Sequence, residues 1–261
     1  MPVTIHPMSV VEPGAQLGTD VTIGPFCVIG AQVTLGDGVQ VKSHAVVTGH
    51  TQVGAGTIIF PHATVGEVPQ DLKYRGEPTR LIVGCRNRIR EGATLNLGTE
   101  DGGGVTRIGD DNLFMAGSHV GHDSTVGNGI VVANCAAIAG HCQIGDEVII
   151  GGLSGIHQWV RIGKGAIIGA LTMVTNDVIP YGLVQGPRGE LDGLNLIGLK
   201  RRGMDRAEIQ ALRAAYDLLA QGEGTFLDRV RHLAASTPGP HVQEMTDFIL
   251  AHSDRSFLIP K

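Results

Sequence analysis

Two histidines and a carboxylate fall within five residues of this chain, in the run His119, Val120, Gly121, His122, Asp123. An imidazole titrates near neutral pH, so His122 can take a proton from a hydroxyl. A carboxylate beside it can orient the ring and stabilise its charged form. Eighteen residues further on come Gly140 and His141, and eighteen beyond those come Gln158 and Trp159, directly after His157. Taken alone, a His-Asp pair reads more readily as two polar residues at an exposed corner. The chemical reading depends on a fold that stacks residues eighteen apart.

The repeat provides that fold. From Ile108 to Val174 an aliphatic residue (Phe once) recurs every six positions, through Phe114, Val120, Val126, Val132, Ile138, Ile144, Ile150, Ile156, Ile162 and Ile168. Four positions after each comes a small or β-branched residue such as Ser118, Ser124, Ala136, Cys142 or Ala166, with Asn112 the polar exception. A period of six fits neither a helix at 3.6 residues per turn nor simple alternation. It predicts a parallel β-helix, in which three hexads make one triangular coil of about 18 residues. His122, Gly140 and Gln158 then form one column with spacing of about 5 Å, and Asp123, His141 and Trp159 form the next. His119 and His122 also invite a metal reading, because a prism-shaped carbonic anhydrase holds zinc with three histidines. Their spacing puts them on different sides of a corner and no third ligand is evident. No metal and no cofactor are expected.

Composition agrees. Glycine is abundant at 39 residues and aromatics make up 4%, which suits narrow coils with tight corners. A net charge of −5 argues against nucleic acid as a partner. Neither a signal segment nor an apolar run of membrane-spanning length is evident, so a cytoplasmic protein without a membrane span is expected. The four cysteines lack paired spacing, and Cys27 and Cys142 fall at inward positions as buried reduced thiols.

In chain order, the hexads start at Ile5 and keep register to Val65. They break over 66–82, resume at Val83, Ile89 and Leu95, and break again over the glycine-rich 98–107. A solenoid needs no such excursions for stability, so they are candidates for function. Asp71 and Lys73 in the first read either as ordinary loop charges or as groups that reach a sugar on a wall, their own or a neighbouring subunit's. His44 and His62 also stack, without a carboxylate, and read as solvated or interface corners. The prism is expected to span 1–186. A Gly/Pro-rich connector should lead to a small helical domain, 187–261, covering its open end. There Asp205 with Glu208 resembles a capping box, and Thr225–Ala235 and His241–His252 read as further helices. Lys200, Arg201 and Arg202 form a basic triplet suited to phosphate, to an acidic partner, or simply to solvent.

The runs QDLKYRGEPTR (70–80), NRIRE (87–91), HVGHDSTVG (119–127), AGH (139–141), IHQW (156–159) and GLKRRG (198–203) closely resemble the acyl-carrier-protein:UDP-N-acetylglucosamine O-acyltransferases over essentially the whole chain. The resemblance implies a mainly β fold: a left-handed parallel β-helix with a small C-terminal α-helical domain, assembled as a homotrimer with sites between subunits. It implies transfer of a (3R)-hydroxyacyl chain from acyl carrier protein to the glucosamine 3-hydroxyl of UDP-N-acetylglucosamine, the first step of lipid A synthesis. His122 matches the general base, Asp123 its support, and the Gly140 N–H the oxyanion donor. Asp71, Lys73, His119, His141, His157 and Gln158 match sugar and phosphate contacts. Asn195, Arg201 and Arg202 match nucleotide contacts.

Three departures stand out. Where the family reads Ile-His-Arg-Gly-Thr, this chain has Leu95, Asn96, Leu97, Gly98, Thr99. Ile197 stands where an acidic residue is usual, and Ala170 replaces a glycine of the acyl-chain groove, which should shorten or shift the preferred chain. Two rivals remain at this level: N-acyl transfer to a 3-amino UDP-sugar, and a non-catalytic scaffold that binds the carrier protein.

Overall fold

A hexad makes a strand of only two residues, one outward and one aliphatic and inward, followed by a corner. In the computed structural model, which describes residues 2–236, 239–253 and 255–260, those strands align into three parallel sheets of eleven, nine and eight strands. They form the three walls of a left-handed parallel β-helix. Pairing runs at the expected interval, as in Thr22↔Gln40 and His119↔Ala137. Ile23, Ile29, Leu35, Ile138 and Ile150 stack inside with almost no exposure. The corners need a residue in the left-handed region, and Phe26, His44, His62, Asp123, His141, Leu153 and Trp159 all hold φ between 59° and 67°. A non-glycine residue there costs of order 1 kcal/mol. Cross-coil hydrogen bonds offset it, for example His141 N–H to the His122 carbonyl at 2.9 Å.

Small polar side chains complete the corners from inside. The Asn112 carbonyl oxygen accepts the Ile130 N–H at 2.7 Å while its amide donates to the Gly127 carbonyl at 3.0 Å. One coil earlier Asn87 does the same for the Asn112 N–H and the Gly109 carbonyl. The polar exception in the hexads is therefore a hydrogen-bonding device. Cys27 and Cys142 are buried free thiols, as their inward register predicts.

Both excursions are narrower than the broken register suggested. Strand Arg80–Val83 pairs along its whole length, and Thr64–Glu67 pairs with Thr94–Asn96 through a bulge at Gly66, so the first loop leaves the wall only over 68–79. The second leaves between strands Thr94–Asn96 and Val105–Ile108. The Asn96 amide donates to the Glu67 and Val68 carbonyls at 3.3 and 3.1 Å, and so ties the root of the first loop.

The glycines after Pro180 do not make a loose connector. Strands Gly182–Gln185 and Glu190–Leu194 form an antiparallel hairpin added to the first wall. Four helices follow: α1 (Leu196–Arg201), α2 (Arg206–Gln221), α3 (Phe226–Ala235) and α4 (Pro240–Leu250). The capping box expected at Asp205 does not form. Asp205 makes no side-chain cap bond, and the Glu208 side chain, which would complete the box, turns to His241, 3.3 Å away. Thr225 and Asp228 make one instead on α3. The chain then returns to the prism, where Phe257 bridges Asp177. Arg161, itself bound to Asp177 at 2.7 Å, lies under the Phe248 and Phe257 rings. No helix among the described residues is long and apolar enough to cross a membrane.

Asn112→Val should leave the Ile130 N–H and the Gly127 carbonyl buried without partners, a loss of about 2–4 kcal/mol. Urea unfolding measures it. A midpoint unchanged from wild type would mean the inner amides are dispensable.

Candidate active site

The corner after strand His119–Val120 carries His122 and Asp123. Here the stacking rule places side chains from three coils together. The His141 ring meets His122 edge-on at 4.9 Å between centroids and lies flat against the Trp159 indole at 3.9 Å and 5°. His122 Nδ1 donates to Asp123 Oδ2 at 2.8 Å, which leaves Nε2 with the lone pair. That nitrogen lies 4.0 Å from Asp71 Oδ2, so the first loop folds back on the wall of its own protomer.

Asp123 is fully covered. Its carboxylate accepts the Thr99 N–H at 2.9 Å and the Thr99 hydroxyl at 2.6 Å, while its own N–H donates to Thr106 Oγ1. Burial alone would raise its pKa; the bonds from His122 and Thr99 outweigh burial and hold it below the ordinary carboxylate value. The second loop is shaped for this. A Cβ on Gly102 would sit 2.1 Å from the Asp123 carboxyl carbon, and one on Gly98 would sit 2.7 Å from Oδ1. Thr99 is the functional neighbour that residue-type reasoning passed over, although the Gly-Thr of the LNLGT run signalled it.

Gly140 is required by space: a Cβ there would lie 2.6 Å from His122 Cε1 and Nε2. Among the described residues no acceptor receives its N–H. The register explains why. Pro7, Pro13, Pro25 and Pro61 occupy the equivalent place in other hexads, so this N–H takes no part in the ladder. Among the described residues, a donor without an acceptor therefore sits beside Nε2 of a carboxylate-supported imidazole.

Burial lowers the pKa of His141, with His122 adding to the effect and Asp123 only partly offsetting it. His119 is lowered likewise, by burial and then by His122, and its Nδ1 lies 2.8 Å from the Thr94 hydroxyl. Both rings are thus held as neutral donors or acceptors. His122, Asp123 and His141 present donor atoms within 4.8 Å of one another, close enough to hold a cation. The Asp123 lone pairs, however, are already committed to Thr99 and His122.

Other expected residues lie apart. Lys73 is exposed on the first loop, with its N–H on Asp71 Oδ1, and Gln158 is exposed above Gly140. His157 contacts Arg255 of the C-terminal segment at 2.8 Å. Asn195 caps α1, accepting the Gly198 N–H and donating to the Gly165 carbonyl. Arg202 is paired with Glu147 at 3.0 Å. Asn195, Arg201 and Arg202 line a cleft of about 490 Å3 with Ile149 and Ile167 of the first wall, away from the His122 corner. Ala170 is exposed beside Leu171, itself 67% exposed.

Comparison with known proteins gives a consistent result. Residues 177–258 match the family model described as UDP N-acetylglucosamine O-acyltransferase, domain 2, and residues 141–176 match the six-repeat bacterial transferase hexapeptide. An acyl-[acyl-carrier-protein]–UDP-N-acetylglucosamine O-acyltransferase of Paracoccus denitrificans is 65% identical over 198 residues, 76% of this chain and 75% of that protein. One from Caulobacter vibrioides is 54% identical over the same shares. Among solved structures, the UDP-N-acetylglucosamine acyltransferase from Campylobacter jejuni superposes with a TM-score of 0.94 at 36% identity, covering 99% of this chain and 100% of that one.

Thr99→Val removes a hydroxyl donor and should raise the Asp123 pKa. A depressed carboxylate pKa contributes stability above its unfolded value, and that contribution disappears as pH falls through the folded value. The variant's deficit in melting temperature should thus be full at pH 7 and shrink toward pH 3. A pH-independent deficit would assign Thr99 a packing role only.

Proposed function

Because this chain belongs to the acyl-[acyl-carrier-protein]–UDP-N-acetylglucosamine O-acyltransferase family, we propose that the His122 corner carries out the family's transfer. The enzyme moves a 3-hydroxyacyl chain from acyl carrier protein to the glucosamine 3-hydroxyl of UDP-N-acetylglucosamine, the first step of lipid A biosynthesis. The observation that supports the residue assignment is the His122–Asp123 hydrogen bond, which leaves Nε2 open next to a glycine N–H without an acceptor.

In this reading His122 Nε2 takes the proton of the sugar 3-hydroxyl as its oxygen attacks the thioester carbonyl. Asp123 keeps the Nδ1–H tautomer in place and stabilises the imidazolium. The tetrahedral oxyanion accepts the Gly140 N–H, an interaction made only as charge develops. Collapse expels the carrier thiolate, and the imidazolium returns the proton to sulfur. His119, His141 and Gln158 on the wall, with Asp71 and Lys73 on the loop, hold the sugar and its phosphates. The buried, neutral state of His119 and His141 suits them to donate to hydroxyl and phosphate oxygens.

Asn195, Arg201 and Arg202 serve the nucleotide on a different wall of the prism, and one protomer cannot present both walls to one small molecule. We therefore read the enzyme as a homotrimer in which the corner of one subunit faces the first wall of the next. Leu72, 98% exposed at the tip of the first loop, supports that contact. The apolar Ile149 and Ile167 face then lines the acyl chain's path, and Ala170 limits its length. The basic face around Lys200 meets the acidic carrier protein, and the assembly works in the cytoplasm.

Transfer from a series of 3-hydroxyacyl carrier proteins to UDP-N-acetylglucosamine tests the assignment. His122→Ala should lower kcat by about 10²–10⁴-fold while the protein stays folded, as its circular dichroism spectrum would show. Activity within tenfold of wild type would remove His122 as the base, and activity only on the 3-amino nucleotide would replace the acceptor. In a chain-length competition Ala170→Gly should shift preference toward longer chains; an identical profile removes Ala170 from the groove.

A further inference from the structure

The C-terminal segment returns to the prism beside the end of the substrate wall, and it brings one charge with it. Arg255 donates to the Thr175 carbonyl at 2.9 Å through Nη1 and to His157 Nδ1 at 2.8 Å through Nη2. Among the described residues no carboxylate pairs with Arg255. Asp177, on the last coil, is taken by Arg161 and by the Ser253 hydroxyl. Arg255 Nε is buried without an acceptor, so the tail aims this guanidinium at His157 at some cost in unmade hydrogen bonds.

A guanidinium can only donate. His157 Nδ1 must therefore be the unprotonated nitrogen, and the ring's proton sits on Nε2. The Gln158 carbonyl, 3.2 Å from the same Nδ1, then receives no hydrogen bond from it; the two contacts require opposite tautomers, and the shorter, charge-assisted one decides. His157 is left with an Nε2–H donor that meets no acceptor among the described residues, on an exposed ring. Beside it Arg255, Ser256, Asn176 and the Trp159 indole line an open cleft of about 430 Å3. Trp159 is the upper member of the stack that runs down through His141 to the His122 corner.

We propose that Arg255 is a positioning residue that fixes His157 as a neutral Nε2–H donor, and that the two together form an anionic subsite for a phosphate ester above the catalytic corner. Resting on the acyl-transfer reading, this assigns the C-terminal tail a part in substrate binding. Two substrates carry such a group: the sugar nucleotide through its diphosphate, and the acyl carrier protein through the phosphodiester of its pantetheine arm. Either is attracted by the guanidinium, which no carboxylate pairs among the described residues, and the Nε2–H adds a directed bond.

Steady-state kinetics on the full-length enzyme separate these sources. Arg255→Met should raise the KM of one substrate about tenfold or more, with kcat within about threefold. A change in KM for UDP-N-acetylglucosamine identifies the diphosphate, and a change for the acyl carrier protein identifies the pantetheine phosphodiester. Arg255→Lys, which keeps a donor, should recover part of the loss. His157→Gln, whose amide mimics Nε2, should bind better than His157→Asn, whose amide mimics Nδ1. Phe257→Leu, which loosens the same tail without touching the cleft, controls for docking: it should lower the melting temperature and leave both KM values unchanged. Equal KM values in Arg255→Met and wild type would overturn the proposal, as would a Phe257→Leu variant that reproduces the Arg255→Met effect. A wild-type enzyme inactive in the same assay would instead overturn the function on which the proposal rests.

Discussion

Everything in this molecule follows from a hydrogen bond at the corner. The residue that turns the chain from one wall to the next holds a left-handed conformation, and its N–H binds the carbonyl of the coil beneath, as His141 does to His122 and Trp159 to Gly140. Once that bond is made, equivalent corners have no freedom to slide, and their side chains stack whether or not stacking favours them. At Phe26, His44 and His62 the result is a ladder of exposed rings about 5 Å apart with no acid beside it. At Asp123, His141 and Trp159 the same rule gives a carboxylate, an imidazole and an indole in one line. The regular scaffold supplies precision to both, and residue choice alone decides which one can do chemistry.

Regular coils cannot finish a site, because each presents the same flat wall. The two excursions supply what the walls lack. The second places Thr99 on Asp123, which turns a carboxylate at a corner into one saturated by donors. The first brings Asp71 to the open side of His122. The departure at Asn96 belongs to this architecture: its amide holds the Glu67 and Val68 carbonyls where the first loop leaves the wall, and Leu97 packs buried against Gly49. Asn96 thus fixes the root of the first loop.

The register, the three walls and the convergence of His122, Gly140 and His141 were legible because a six-residue period transmits position over long distances without error. What the sequence concealed was local competition. Asp205 and Glu208 have capping-box spacing, but the Glu208 side chain pairs with His241, and sequence spacing carries no information about α4. The glycines of 182–193 signal a turn-rich connector; only packing of Val184 and Leu191 onto the last coil turns them into a hairpin. Thr99 and Arg255 were hidden for a related reason. Each acts through a partner distant in the chain, at Asp123 and His157, and neither has an unusual neighbour in sequence.

The chemistry of the corner rests on how the Asp123 lone pairs are used. His122, Asp123 and His141 lie close enough to ligate a cation, yet such an ion would compete with the Thr99 N–H, the Thr99 hydroxyl and His122 Nδ1–H for one buried carboxylate. Those three bonds keep the carboxylate charged despite its burial, against the tendency of a low-dielectric site to neutralise it. A charged, immobile acceptor on Nδ1 fixes the direction in which Nε2 points. The glycine-rich loop therefore acts on the base at one remove: by shaping a dry pocket around Asp123, Gly98 and Gly102 determine which nitrogen of His122 is available to a hydroxyl, and the Gly140 N–H is already in place beside it.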